Sequence, residues 1–256
     1  MNVYPLTKAN RIVLARAFRN VKRVDIAIDS VIEGQMGKSF TDDPANPTAF
    51  KLQIGPFCYY AGDFESKRAV DLIRSLDPYS LVMAYPIEWI DIARELYGDK
   101  LIQFPRYSFS SENLSLGHIC DLLHKSPFRS QIVRIDENCL NQLSSESDHF
   151  IDISAFESIE DFLDRGMGYC LTDKHMLIAG AYASLVSNTG IEVSIYVMPE
   201  YRRKGIATAL ACALIKDCLE HNACPHWDAA NIESCKLAEK LGYVQNGIYE
   251  AFFLKR

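Results

Sequence analysis

No stretch of this 256-residue chain approaches the roughly 20 consecutive apolar residues that a helix needs to cross a bilayer. The first 25 residues lack the apolar core of a secretory leader. No Cys-x-x-Cys pair occurs, and the six histidines show no metal-ligand spacing, so no metal site is expected. An excess of positive charge is also missing. The 27 Lys and Arg stand against 33 Asp and Glu, a net charge of −6. That counts against a general nucleic-acid binder, because such domains carry a positive field. No solenoid-length repeat and no low-complexity tract is found. These absences predict a cytoplasmic globular protein with neither membrane nor nucleic acid as a partner.

What is present fits that class. A chain of this length can bury a large core without staples. The eight scattered cysteines are read as buried free thiols of a reducing compartment. Six basic residues (Lys8, Arg11, Arg16, Arg19, Lys22 and Arg23) precede the first acid, Asp25. A mitochondrial presequence looks somewhat like this. However, the pattern runs straight into "VDIAI" without a serine-rich linker, so a basic-faced first helix is expected.

The order of patterns predicts an α/β or α+β layer structure. Residues 7–23 read as a helix and 24–28 as a strand. "AFKLQIGPFCYYAG" is strand-like and broken at Gly55-Pro56. "DFESKRAVDLIRSL" reads as a helix with Asp63 as its cap, "YSLVMAY" as a strand, and "IEWIDIARELYG" as a helix ending at Gly98. "KLIQFPRYSF" is the next strand. A serine-rich seam near 108–130 divides the chain into an N-terminal domain (1–115), a linker helix region (116–129) and a C-terminal domain (130–256). Beyond the seam, "DENCLNQLSSES" and "SIEDFLDRG" read as helices. A hairpin turning at Asp173-Lys174 and the strand "IEVSIYV" follow. The chain closes with a helix to about Asn222, the short strand "CPHWDAA", the helix "ESCKLAEKLGY" and a final strand or hairpin.

The stretch "VMPEYRRKGIATAL" at 197–210 carries the chemistry. Arg202, Arg203 and Lys204 are placed where a helix begins, and that end of a helix is already electropositive. Gly205 lets the backbone approach a ligand, and helix-start amides point outward unpaired. Together they form a cradle for phosphate oxygens. "GQMGKS" at 34–39 mimics the end of a P-loop, but two residues separate its glycines where four are needed, so it is read as a turn before a strand.

Residues 130–256 resemble the GNAT superfamily of acyl-CoA-dependent N-acyltransferases. The likeness is carried by Val197-Met198-Pro199 and Arg202-Arg203-Lys204-Gly205-Ile206-Ala207, and downstream by Asn231, Ser234 and Glu239-Lys240-Leu241-Gly242-Tyr243. Within the superfamily these segments are similar to the group that includes the zwittermicin-resistance type of acetyltransferase. The resemblance implies a mostly antiparallel mixed sheet flanked by helices, and an N-terminal domain that is a degenerate GNAT-like half. It implies acetyl-CoA as co-substrate, without a metal. Backbone amides of Arg203, Lys204, Gly205, Ile206 and Ala207, with Thr208 just beyond, hold the pyrophosphate. The pantetheine arm lies along Tyr196, Val197 and Met198 and meets Asn231. The implied reaction acetylates a primary amine, of a small molecule or of a protein. A non-catalytic acyl-CoA sensor and a nucleotide-binding protein are the rivals. Monomer and homodimer are both open.

An amine of pKa ~10.4 costs about 4–5 kcal/mol to deprotonate near neutral pH. A positioned base must offset that. Glu192 is the candidate. Strand alternation sets Glu192, Ser194 and Tyr196 on one face and Ile191, Val193, Ile195 and Val197 on the other. A cap or a binder of substrate cation is its other role. The family's usual tyrosine acid aligns with Ala238. Ser234, one helical turn earlier on the same face, is the candidate contact for the leaving group, with Tyr243 and Tyr249 as weaker ones. Cys235 is read as a packed thiol. Trp89 and Trp227 are read as core residues, with a place beside the acceptor as a second role for Trp227.

Overall fold

The computed structural model describes residues 1–22, 26–143, 151–174 and 176–256. By their internal packing these fall into two compact units. The first is Met1–Arg106 with Ile248–Arg256, and the second is Tyr107–Gly247.

In the first unit the chain runs β1 (Asn2–Val3), α1 (Lys8–Phe18), α2 (Ala27–Glu33), β2 (Lys38–Thr41), β3 (Ala49–Ile54), β4 (Phe57–Gly62), α3 (Ala69–Arg74), β5 (Leu81–Tyr85), α4 (Glu88–Tyr97) and the start of β6 (Leu101–Ser110). Antiparallel pairing links β1 to β2, β2 to β3 and β3 to β4. The β4–β5 pair is parallel over five positions, from Phe57–Leu81 to Ala61–Tyr85. The sheet ends on residues of β12 (Val244–Leu254), with Phe252 opposite Val82. Trp89 and Ile90 of α4 pack on Tyr60, Leu72, Ile73, Phe252 and Leu254 to form the core.

The β3–β4 hairpin turns at Gly55 and Pro56, as expected from the break there. The "GQMGKS" stretch is the expected turn. Gly34 closes α2 with φ +74, Gly37 has φ +76, and β2 begins at Lys38. Two expectations fail. Of the strand read at 24–28, Ala27 and Ile28 belong to helix α2, which Ile26 caps; Arg23–Asp25 lie outside the described residues. Asp63 caps a local turn through the amide of Glu65 (2.9 Å), and α3 starts six residues later, at Ala69.

Two polar groups organise this unit. Asp42 is 6% exposed and accepts from the amides of Thr48 and Ala49 and the hydroxyls of Thr41, Thr48 and Ser66, at 2.7–3.1 Å. Burial alone would raise its pKa, but the donors, Ser66 foremost, outweigh it and hold the carboxyl well below its ordinary range. Lys51 is fully buried and donates to the Ser75 hydroxyl at 3.1 Å, just beyond the last turn of α3. Burial lowers its pKa.

The second unit holds α5 (Leu116–His124), β7 (Val133–Arg134), α6 (Glu137–Leu143), α7 (Ile159–Arg165), β8 (Gly168–Asp173), β9 (Met176–Val186), β10 (Gly190–Val197), α8 (Ile206–Glu220), β11 (Cys224–Ala229) and α9 (Ile232–Leu241). The helix read over 136–147 is present as α6, and its later residues lie outside the described ones. The sheet order is β6-β11-β10-β9-β8-β7, antiparallel except for β10–β11. Helix α8 is apolar almost all round and buried from Ile206 to Cys218 along most of its length, as expected of a helix enclosed by its neighbours. The eight cysteines are free thiols. Five are buried, while Cys120, Cys139 and Cys224 are only half-buried. Among the described residues no helix is long and apolar enough to cross a membrane.

The two units follow one chain order. The first reads β3-β4-α3-β5-α4-β6 and the second β9-β10-α8-β11-α9-β12. In each, a parallel pair is joined through a helix. Each unit's last sheet strand comes from the other series: β12 pairs with β5, and β6 pairs with β11.

Candidate active site

Strands β10 and β11 are paired only from Gly190–Cys224 to Glu192–His226. Strand β9 keeps its hold on β10 as far as Val197–Ala179. The parallel pair therefore forks after Glu192. A Cβ on Gly190 would collide with the Cys224 carbonyl, so glycine permits the close approach at the base of the fork. A cavity of about 780 Å³ fills the fork, lined by Val193, Ile195 and Val197 on one side and Trp227, Asn231 and Ser234 on the other. Val193, Ile195 and Val197, the face opposite Glu192 in the expected alternation, line the cavity together with Tyr196, so the alternation does not turn Glu192 towards it.

Beyond Val197 the chain makes a single turn at Pro199–Tyr201 and then enters α8. Arg203 and Gly205 both adopt positive φ, +60 and +90. A Cβ on Gly205 would meet nothing within 4 Å, so the constraint there is the left-handed backbone and not a neighbour. The first bond of the helix runs from the Ala209 amide to the Gly205 carbonyl, 3.1 Å. No side chain caps the helix start. The amides of Ile206, Ala207 and Thr208 are thus left for an incoming acceptor.

The three cations part ways. The Arg202 Nε donates to the Val197 carbonyl at 2.9 Å. Lys204 lies over the Tyr201 ring, 5.0 Å from its centroid, and Tyr201 donates to Asp173 at 2.8 Å. Arg203 is exposed beside the cavity. Sequence reasoning missed a fourth cation: Lys240 donates to the Thr208 hydroxyl at 3.2 Å. Lys240 was legible only as part of the Glu239–Tyr243 run, because its partner is 32 residues away.

Among the expected site residues, Tyr196, Val197, Arg202, Arg203, Gly205, Ile206, Ala207, Thr208, Asn231 and Ser234 line the one cavity. Met198, Lys204 and Glu192 do not. The Met198 amide is bonded to the Ile178 carbonyl, 2.9 Å. Glu192 is 5% exposed and accepts the Asp228 amide at 3.1 Å, two residues past the last rung of the β10–β11 ladder. It braces the fork at its base. Asn231 is the cap of α9, and its Oδ1 accepts the Ser234 amide at 2.9 Å, leaving the Nδ2 for a ligand. Ala238 is fully buried. The Tyr243 hydroxyl donates to the Pro225 carbonyl at 2.9 Å, and Tyr249 belongs to the first unit. Burial raises the pKa of Cys235, consistent with a packed thiol. Trp227 is buried and lines the cavity, so it takes part in both core and site. Among the described residues, no group of three or more side chains could hold a metal ion.

The cavity thus has amide donors and cations at one end and an apolar fork at the other. A sequence model of the GNAT acetyltransferase family matches residues 18–252, so the chain belongs to that family and is an acyltransferase. It is similar to the uncharacterized N-acetyltransferase YdfB of Bacillus subtilis strain 168, 24% identical over 227 residues and 84% of each chain. The crystal structure of a GCN5-related N-acetyltransferase-like protein from Streptococcus suis 89/1591 superposes with a TM-score of 0.83, at 28% identity, covering 97% of this chain and all of that one. A GCN5-related N-acetyltransferase from Kribbella flavida gives a TM-score of 0.57 over 90% of this chain and 94% of its own; at 11% identity that likeness concerns the fold alone.

Proposed function

We propose that the protein transfers an acetyl group from acetyl-CoA to a primary amine of a small molecule. One observation carries this reading: the uncapped start of α8 and the fork between β10 and β11 open into the same cavity. The amides of Ile206, Ala207 and Thr208, with Arg203 beside them, would hold the pyrophosphate. The arm would run along Val193–Val197 towards the base of the fork, in reach of the Asn231 Nδ2. Acetyl-CoA supplies an activated acyl group on sulfur. The similarity to the zwittermicin-resistance group favours a small-molecule acceptor over a protein.

The chain's own groups supply the rest. Glu192 is the base; it lies at the base of the fork outside the cavity lining, so it takes the amine proton through an intervening water. Its Oε1 accepts the Asp228 amide, which fixes the carboxyl group in place. Backbone amides at the edge of β10 answer the charge that develops on the carbonyl oxygen. The first unit acts as a degenerate GNAT-like half: it repeats the chain order, but its parallel pair is zipped over five positions and offers no fork.

The test is a panel of small amines and peptides with acetyl-CoA, read by release of free thiol. Turnover with small amines is expected. Turnover with peptides alone would move the acceptor to protein. Glu192→Gln should lower kcat by about 100-fold or more while CoA affinity changes less than threefold. Unchanged kcat would remove Glu192 as the base.

A further inference from the structure

Ser234 occupies the first turn of α9, its amide held by the Asn231 cap. Its hydroxyl accepts the indole N–H of Trp227 at 3.2 Å. A hydroxyl has one proton to give and two lone pairs to offer, whereas an indole nitrogen can only donate. The bond therefore occupies a lone pair of Ser234 and turns its proton away from the indole. Both residues line the cavity. Trp227 is itself fixed. It is 3% exposed, and its ring lies 5.3 Å from that of Tyr243, whose hydroxyl is tied to the Pro225 carbonyl. The donor is thus held on β11 by packing, and the hydroxyl is held on α9 by the cap.

We infer that Trp227 is a positioning residue, which orients the Ser234 hydroxyl so that its proton faces the sulfur of the co-substrate. The inference rests on the acyl-CoA reading above. With the phosphates at the start of α8 and the arm along β10, the sulfur end reaches the part of the cavity that Trp227 and Ser234 line. The reaction forms a C–N bond and breaks the C–S bond. The sulfur leaves with the bonding electron pair, and the proton of the attacking nitrogen goes to the base. Ser234 keeps its own proton and gives the sulfur a hydrogen bond. Hydrogen bonds to charged acceptors are the stronger kind, so this one favours the departing thiolate over the intact thioester.

The experiment titrates the thiol of bound CoA by the ultraviolet absorbance of its thiolate. It compares the wild type, Ser234→Ala, Trp227→Phe and the double variant. Each single substitution should raise the pKa of the bound thiol by about one unit, and the double variant should go no further. With acetyl-CoA and an amine, kcat should fall about tenfold in each while KM for acetyl-CoA stays within about twofold. Losses that add in the double variant would make Trp227 a packing residue and overturn the inference. So would a thiol that titrates in Trp227→Phe as in the wild type. Failure of CoA to bind the wild type would overturn the acyl-CoA reading itself, and the inference with it. Should the Phe variant not fold, the two tryptophans give two indole N–H resonances. Ser234→Ala should move the one from Trp227; if it stays in place, the bond is absent and the inference falls.

Discussion

At the scale of single residues, the glycine at the start of α8 outweighs the charges around it. Any side chain at 205 must adopt φ +90 and would project into the open space at the start of α8, where we propose the phosphates lie. The strain alone costs about 1–2 kcal/mol. Gly205→Val should therefore weaken CoA binding more than tenfold, whereas Arg203→Ala removes one exposed charge and should weaken it less than tenfold. Isothermal titration with CoA ranks the two, and the opposite order would count against an amide cradle. Asp42 makes a second case. Asp42→Ala strands the buried amide of Ala49 and removes the acceptor of the half-buried Thr48 amide, and should cost about 1–3 kcal/mol of stability, read by urea unfolding. Its folded pKa lies below its unfolded value, so the unfolded chain binds more protons in that interval. The stability it contributes is complete above about pH 4 and declines as pH falls towards the folded value. A wild-type melting curve should show this acid loss, and Asp42→Ala should flatten it. Gly205 was legible in the sequence because a glycine after a run of cations has a local meaning. Asp42 was not, since its donors are spread from Thr41 to Ser66 and only the fold collects them.

The elements were legible wherever their periodicity was long. Helices α8 and α9 and strands β9 and β10 were read nearly as they stand, because ten or more residues of consistent pattern or firm end signals define them. Short segments were misread. "VDIAI" has the composition of a strand, but Gly34 at φ +74 closes a helix that reaches back to Ala27. Asp63 is a good cap in isolation, yet the local turn to Glu65 takes its side chain. The fork could not be read at all. It depends on where two strands 34 residues apart stop pairing, and nothing in either strand alone announces that. Its far wall stands on the first turn of α9, whose cap is Asn231. Asn231→Ala should cost about 1 kcal/mol of stability and also weaken CoA binding, because the same side chain sets Ser234 and faces the cavity. Differential scanning calorimetry and CoA titration on the one variant would show both effects. A loss of stability with unchanged affinity would leave Asn231 a cap and nothing more.

For the whole molecule, the family match spans residues from both units, while the expected co-substrate residues fall in the second. A ligand that binds the folded state at about 100 times its Kd adds about 2.7 kcal/mol. For a chain of this size that raises Tm by about 5–10 °C. CoA should produce such a shift and ATP at equal excess should not; equal shifts would return the nucleotide-binding rival. The exchange of β6 and β12 between the two series has a further consequence, for the order of assembly during synthesis. Domains usually fold in the order in which they leave the ribosome. Here residues 107–247 form one continuous stretch, whereas the first unit needs Phe252 and Leu254 for its core and Phe252 for its pairing to β5. The half made first therefore has to wait for nine residues made after the second unit, and it is the one that nascent-chain proteolysis should find open longest.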